Sequence, residues 1–233
     1  MQDNDMPSET RNSATPDSAS DGCLNNDFAF REKLPDAGTA RACTDREDST
    51  ISALWDGRYE RDYGGLMDRD CERERYQAIG QINVALPAHS SLLDVGCGVG
   101  TMADHLPALD YTGVDVSHKA LAIARTRHPG TFICSDAEGF HSDRKFDVIL
   151  FNETLYYLED PLKQLARYRE FLSEGGPMIV SIWLPGLEHP NRERHLRLID
   201  EIIDSDIFAQ SSTQMRDVGE AELRWKVIRI SVS

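Results

Sequence analysis

Cysteine, basic residues and long apolar runs are all scarce in this chain, and each scarcity closes off a class of function. The five cysteines, Cys23, Cys43, Cys71, Cys97 and Cys134, are odd in number and widely spaced. None belongs to a C-x-x-C pair or to a histidine pattern with zinc spacing, so no disulfide framework and no metal site is expected. A reducing cytosol is the simplest home. Lysine and arginine total 25 against 40 Asp plus Glu, a formal charge of −15 over 233 residues. That surplus repels a phosphate backbone, and no Arg-rich stripe overrides it locally, which argues against DNA and disfavours RNA. No apolar stretch approaches bilayer-spanning length, and the N-terminus lacks a basic start followed by an apolar core. A soluble, unprocessed, cytoplasmic protein without membrane contact is the expectation. The length suits one domain with a full core plus a tail.

The tail is expected at residues 1–50, which are rich in Ser, Thr, Asp, Asn and Pro with no helical or strand period. Such a segment cannot bury enough to offset its chain entropy and reads as disordered, an acidic polar tail. A segment that folds on binding, around Phe28, Phe30 and Leu34, is the alternative. Residues 51–233 read as the domain, opened by a helical lid region over 51–88 in which Leu54, Trp55, Tyr59, Tyr63, Leu66, Met67 and then Tyr76, Ile79, Ile82 and Val84 appear among the charges. No internal repeat is present.

From there the pattern alternates. Ser91 to Val95 reads as a strand, followed by a Gly-rich turn and a short helix to Leu106. Tyr111 to Asp115 and Thr131 to Ser135 read as strands on either side of a helix from His118 to His128. Repeated strand, helix, strand implies a parallel sheet with crossover helices. Phe146 to Phe151 is an apolar run of strand length, as expected for a strand covered on both faces. Asp160 is placed to cap a helix beginning at Pro161, with Leu162, Leu165, Tyr168 and Leu172 inward and Gly175-Gly176 as its stop. Met178 to Trp183 reads as a fifth strand, a polar helix follows Pro190, and Thr213 to Asp217 with Leu223 to Ser231 reads as an antiparallel hairpin around Gly219.

The strongest chemical signal is Asp94-Val95-Gly96-Cys97-Gly98-Val99-Gly100, directly after an apolar strand and before a helix. Alternate glycines let the backbone turn sharply and approach a ligand where a Cβ would collide, although a Gly-rich turn also joins strand to helix without any ligand. A dinucleotide fingerprint needs G-x-G-x-x-G, and counting from Gly96 its last position is Thr101. The acid before the first Gly disfavours a pyrophosphate, so the turn suits something uncharged or cationic. Asp115 ends the second strand, where doubly wound geometry puts a carboxylate within reach of a ribose, with a helix cap as its bland alternative. Asp136, just past the third strand, is placed to accept from an exocyclic amine or to be an ordinary loop acid.

These segments together resemble the class I S-adenosylmethionine-dependent methyltransferases, and the likeness runs from about Ala53 to Val232. It rests on LLDVGCGVG, Asp115, Asp136, FDVILFNETLYYL and FLSEGGPMIVSIW in that order. Pro177 after the glycines and Pro107 after the short helix depart from the pattern. The resemblance implies a Rossmann-like α/β fold, a mostly parallel seven-stranded sheet ending in an antiparallel hairpin with helices on both faces. It also implies S-adenosyl-L-methionine as cofactor. Asp94, Gly96, Cys97, Gly98 and Gly100 would wrap its methionine part, Asp115 with Val116 would hold the ribose, and Asp136 with Ala137 would face the adenine, with Asn152 beside them.

The acceptor is expected at Asn152-Glu153-Thr154-Leu155-Tyr156-Tyr157, after the fourth strand. This turn lacks the [N/D]-P-P-[Y/F] sequence associated in the superfamily with amide and base nitrogens. Glu153 is the candidate general base toward a hydroxyl or anchor for an ammonium, unless it only supports the turn or the cofactor. Tyr156 and Tyr157 offer an aromatic wall to the methyl cation, with core packing as the alternative for both, and Tyr156 is the second catalytic candidate. No histidine stands out. The expectation is methyl transfer to N or O of a small soluble acceptor, in specialised or glycan-related metabolism. An NAD- or nucleotide-sugar-binding oxidoreductase and a non-catalytic cofactor-binding regulator remain as rivals. The oligomeric state is not readable.

Overall fold

Side-chain alternation along the central strands divides them between two cores. A computed structural model of the chain describes residues 50–61, 70–83, 86–87, 89–106, 110–205, 212–220 and 223–231. Leu92, Val148 and Leu150 are buried in one apolar cluster, while their neighbours Leu93, Ile149 and Phe151 are buried in the other. A strand apolar on both faces needs helices on both sides, and the topology supplies them.

The strands are β1 (Ser91–Val95), β2 (Asp110–Asp115), β3 (Thr131–Cys134), β4 (Val148–Asn152), β5 (Pro177–Leu184), β6 (Ser212–Glu220) and β7 (Leu223–Ser231). They lie in the order β3-β2-β1-β4-β5-β7-β6. β1 pairs in parallel with both β2 and β4, β2 with β3 and β4 with β5, whereas β7 is antiparallel to β5 and to β6. The sheet is therefore the mostly parallel seven-stranded one expected from the sequence. The chain winds outward from β1 to β3, then returns to place β4 on the other side of β1. The reversal opens a crevice at the carboxyl ends of β1 and β4, where ligands of such sheets bind.

The described helices are α1 (Thr50–Glu60), α2 (Arg73–Asn83, after a 3-10 turn at Asp70–Glu72), α3 (Thr101–His105), α4 (His118–Arg127), α5 (Pro161–Arg169) and α6 (Arg192–Asp204). Ser117 caps α4 by accepting from the Ala120 amide at 3.1 Å. Asp160 caps α5 by accepting from the Lys163 amide at 3.0 Å, with Pro161 in the first turn as its fixed φ favours. Tyr76, Ile79, Met102 and Leu121 put α2, α3 and α4 on one face; Leu165, Tyr168, Leu198 and Ile202 put α5 and α6 on the other.

Three boundaries differ from the sequence reading. Phe146 precedes β4 and makes only an isolated bridge to Leu172. That bridge also explains why α5 ends at Arg169, well before Gly175, since Leu172 has left the helix to pair. Gly219 lies inside β6 at φ 84°, paired with Arg224 of β7, rather than between the two strands. At the N-terminal side, Thr50 already begins α1, while the expected tail over residues 1–49 and the apolar Tyr63, Leu66, Met67 and Val84 lie outside the described residues. Among the described residues no helix is long and apolar enough to cross a membrane.

α1 is fixed to the β2–α4 turn. Asp56 Oδ1 accepts from the Ser117 hydroxyl at 2.6 Å and the Lys119 amide at 3.0 Å, Ser52 donates to the Val116 carbonyl at 3.0 Å, and Lys119 meets Glu60 at 2.7 Å. These contacts carry α1 across the crevice.

Candidate active site

Under α1 the crevice becomes a cavity. Its floor is the turn from Asp94 to Val99, and its walls are Asp115 and Val116, Asp136 to Glu138, and Asn152 to Thr154. Trp55 and Tyr59 from α1, Arg75 and Tyr76 from α2, and Tyr157 close it.

In the turn, Gly96 and Gly98 take φ values of 75° and 54°. A Cβ on Gly96 would come within 2.4 Å of Thr154 Oγ1, and one on Gly98 within 2.6 Å of the Tyr59 hydroxyl. The glycines are thus required by the chain's own packing as well as by any ligand. The turn's amides face inward. Gly96 and Cys97 donate to the Val114 carbonyl at 2.7 and 3.0 Å, Gly98 to Asp115 Oδ2 at 2.8 Å, and Gly100 to the Cys97 carbonyl at 3.0 Å. A pyrophosphate needs such amides as donors, and these are already bonded.

Acceptor oxygens show the opposite pattern. Asp94 Oδ1, Asp136 Oδ2 and Asn152 Oδ1 are buried without a hydrogen-bond partner, and all three residues line the cavity. Unsatisfied buried acceptors are costly, so a donor-rich or cationic ligand fits the cavity well. Asp94 is 2% exposed, and burial pushes its pKa up to about 7, with the Tyr111 hydroxyl pulling it down and Asp115 pushing it further up. Burial likewise raises Asp115 to about 6, against the lowering pull of the Ser117 and Gly98 amides. The Cys97 thiol is held well above its usual range, first by burial and then by Asp115 and Asp94, so it stays protonated.

Asp115 is not the helix cap; Ser117 is, and Asp115 Oδ1 instead accepts from the Ser117 amide at 2.8 Å. Its Oδ2 ties β2 to the glycine turn, and the residue lines the cavity. Asp136 Oδ1 accepts from the Gly139 amide. Val116 and Ala137 line the cavity while their carbonyls accept from Ser52 and from Tyr168.

Two expected site residues are placed elsewhere. Gly100 does not line the cavity; a Cβ there would meet His128 at 2.9 Å and Phe132 at 3.3 Å, so it admits α4 and β3 rather than a cofactor. Tyr156 does not line it either. Its ring is 5% exposed, stacked on His195 with centroids 4.4 Å apart, so it offers no wall to a methyl group. Its neighbour Tyr157 lines the cavity instead, edge-on to Trp55 at 5.2 Å.

Tyr156 reaches the site through its hydroxyl, which donates to Glu153 Oε2 at 2.8 Å. Glu153 has the left-handed φ of 60°, a costly state for a non-glycine residue and a common mark of functional positions. Ser181 donates to its Oε1 at 3.1 Å, and Arg75 Nη1 lies 3.6 Å from its Oε2. Arg75, 1% exposed, also meets buried Glu72 at 2.8 Å and lies over the Tyr76 and Trp225 rings. Arg75, Glu72 and Ser181 escaped the sequence reading. Ser181 had a signal, being the polar residue inside the apolar Met178 to Trp183 run; charges on a polar helix had none.

A methyltransferase-domain family model matches residues 65–211. Over 139 residues the chain is 30% identical to a dTDP-3-amino-3,4,6-trideoxy-alpha-D-glucopyranose N,N-dimethyltransferase of Streptomyces venezuelae, covering 54% of this chain and 59% of that one. Over 116 residues it is 30% identical to a malonyl-[acyl-carrier protein] O-methyltransferase of Bacillus cereus, covering 47% and 40%. The chain thus spans about half the length of these curated relatives. Among solved structures, the N-methyltransferase NodS of Bradyrhizobium japonicum, in complex with S-adenosyl-L-homocysteine, aligns with a TM-score of 0.59 at 21% identity, over 72% of this chain and 90% of that one. At that identity the likeness concerns the fold. The family match covers well over half of the sequence, from the 3-10 turn before α2 through α6, and the chain belongs to the methyltransferase-domain family.

Proposed function

We propose that this chain is an enzyme that transfers a methyl group from S-adenosyl-L-methionine to a nitrogen or oxygen of a small acceptor. The observation that carries the reading is the inversion of polarity at the glycine turn, where amide donors are bonded inward while Asp94, Asp136 and Asn152, which line the cavity, each keep a buried oxygen without a hydrogen-bond partner. Such a wall suits a sulfonium compound rich in donors and rejects the pyrophosphate of NAD or a nucleotide sugar.

When bound, the cofactor supplies a methyl group on a positively charged sulfur. The chain's residues do the rest by binding and alignment. Asp115 would hold the ribose hydroxyls, Asp136 and Asn152 would accept donor groups of the adenosine, and Asp94 would pair with the ammonium of the methionine part. Gly96 and Gly98 allow the close approach, and α1 keeps water from the reacting atoms. Glu153 stands one residue beyond β4, on the acceptor side. The curated relatives are named for a dTDP-linked amino sugar and for malonyl-[acyl-carrier protein], which supports an acceptor other than nucleic acid. The acidic surplus supports the same conclusion, and a cytosolic setting belongs to the same proposal.

The test is to incubate the full chain with methyl-labelled cofactor and a metabolite extract, then separate the products. Label in a small metabolite is the expected result. Label in nucleic acid alone would overturn the acceptor class, and no labelled product despite cofactor binding would favour a non-catalytic binding protein.

A further inference from the structure

Glu153 is built to face a cation. Its two oxygens accept from Tyr156 and Ser181 at 2.8 and 3.1 Å, with the Arg75 guanidinium 3.6 Å away. Donors on both oxygens favour the ionised carboxylate and leave lone pairs free on each, which suits it to pairing with a cation more than to keeping a proton. Among the described residues lining the cavity there is no histidine and no lysine; besides Glu153 its acids are Asp94 and Asp115 at the glycine-turn end, Asp136 beyond β3, and Glu138 and Glu159. Removing the proton of an alcohol at neutral pH without a positioned base is slow. An amine needs no such base, because its ammonium loses a proton to water readily enough.

Other residues of the cavity point the same way. Glu138 and Glu159 both line the cavity and are brought together by the Glu159 amide, which donates to Glu138 Oε1 at 3.4 Å. Trp55 and Tyr157 give adjacent aromatic rings at the mouth, and Trp55 already carries the Arg58 guanidinium 4.6 Å from its ring centroid. Carboxylates beside aromatic rings are the combination that binds organic ammonium groups.

We infer that the acceptor is an amine which enters as its ammonium and is held between Glu153 and the Trp55–Tyr157 rings, with Arg75, Tyr156 and Ser181 as positioning residues for Glu153. The inference rests on the methyl-transfer reading above. The ammonium releases one proton to solvent, and the nitrogen lone pair then forms the bond to the methyl carbon. The carbon–sulfur bond breaks with its electron pair left on sulfur. The positive charge passes from sulfur to the methylated nitrogen, so Glu153 faces a cation before and after transfer, and a product that retains an N–H can be methylated again.

The test uses the full chain saturated with S-adenosylhomocysteine and two probes of one shape, benzylammonium and benzyl alcohol, titrated by calorimetry at pH 7.5. The expected result is at least about tenfold tighter binding of the ammonium, since charge pairing and cation–π attraction act on it alone. In Glu153→Gln the preference should fall below about threefold while S-adenosylhomocysteine affinity stays within a fewfold. Should that variant fail to fold, Trp55→Leu supplies the second arm and should weaken the ammonium more than the alcohol. Equal binding, no binding of either probe, or a preference that survives the substitutions overturns the amine assignment. Loss of S-adenosylhomocysteine binding by the wild-type chain would instead remove the cofactor reading beneath it, and the assignment with it.

Discussion

Tyr111 on β2 donates its hydroxyl to Asp94 Oδ2 on β1 at 2.5 Å, while Asp94 Oδ1 is left without a partner at the cavity wall. One oxygen is thereby anchored by the fold, and the other is left for a ligand. The arrangement makes cofactor affinity depend on pH. Asp94 rises from about 3.8 to about 7 and Asp115 from about 3.8 to about 6, chiefly through burial. Between those limits the folded chain binds more protons than the unfolded one, so this contribution to stability is greatest below pH 4 and is lost as pH rises toward 7. A ligand with a net positive charge favours the ionised carboxylates. S-adenosylmethionine should therefore bind more tightly at pH 8 than at pH 5.5, by up to about tenfold per unit below the apparent pKa. S-adenosylhomocysteine, whose methionine-derived part carries the same ammonium, should respond in the same direction. Calorimetry at the two pH values checks both, and Tyr111→Phe, which removes the lowering hydrogen bond, should move the midpoint upward.

Asp115 carries a double duty, because its oxygens hold the Gly98 and Ser117 amides and the residue lines the cavity. Asp115→Ala should weaken cofactor binding by about ten- to a hundredfold. It should also lower the melting temperature, since each orphaned buried amide costs about 1–3 kcal/mol. Calorimetry and a melting curve read the two effects separately. Unchanged affinity would return Asp115 to a purely structural role.

Gly96 and Gly175 separate steric conflict from backbone strain. Both have positive φ, 75° and 73°, but a Cβ on Gly96 would strike Thr154 Oγ1 at 2.4 Å whereas one on Gly175 would meet nothing within 4 Å. Gly175→Ala should cost about 1–2 kcal/mol, from φ alone, and leave cofactor binding intact. Gly96→Ala adds an overpacking penalty of about 1–3 kcal/mol and should abolish binding, because Thr154 is tied to the Val95 carbonyl at 2.8 Å and cannot simply turn away. Denaturant unfolding gives the order, and equal costs would contradict it.

Much of the sheet was legible because its signals are local. Apolar β1 and β4 read as strands covered on both faces, and Asp160-Pro161 marked the start of α5 correctly. The glycine turn, Asp115 and Asp136 were legible as one constellation, since their spacing follows from doubly wound geometry. Long-range contacts were hidden. Nothing in Glu72-Arg73-Glu74-Arg75 tells that Arg75 and Glu72 are buried together while Arg73 is exposed. Adjacent tyrosines cannot be sorted by period at a strand end, so sequence offers Tyr156 and Tyr157 alike and cannot tell that only Tyr157 lines the cavity. Gly219 misled in the same manner, since a glycine at positive φ fits a turn and a strand kink equally well.

The central claim is that the cavity, with its amide donors bonded inward and buried acceptor oxygens left unpartnered on the residues that line it, is made for S-adenosylmethionine. Direct calorimetric titration of the full chain with S-adenosylmethionine, S-adenosylhomocysteine and NAD tests it. The account predicts saturable binding of the first two at micromolar concentrations and none of NAD; tight NAD binding, or no binding of either adenosyl compound, would contradict it.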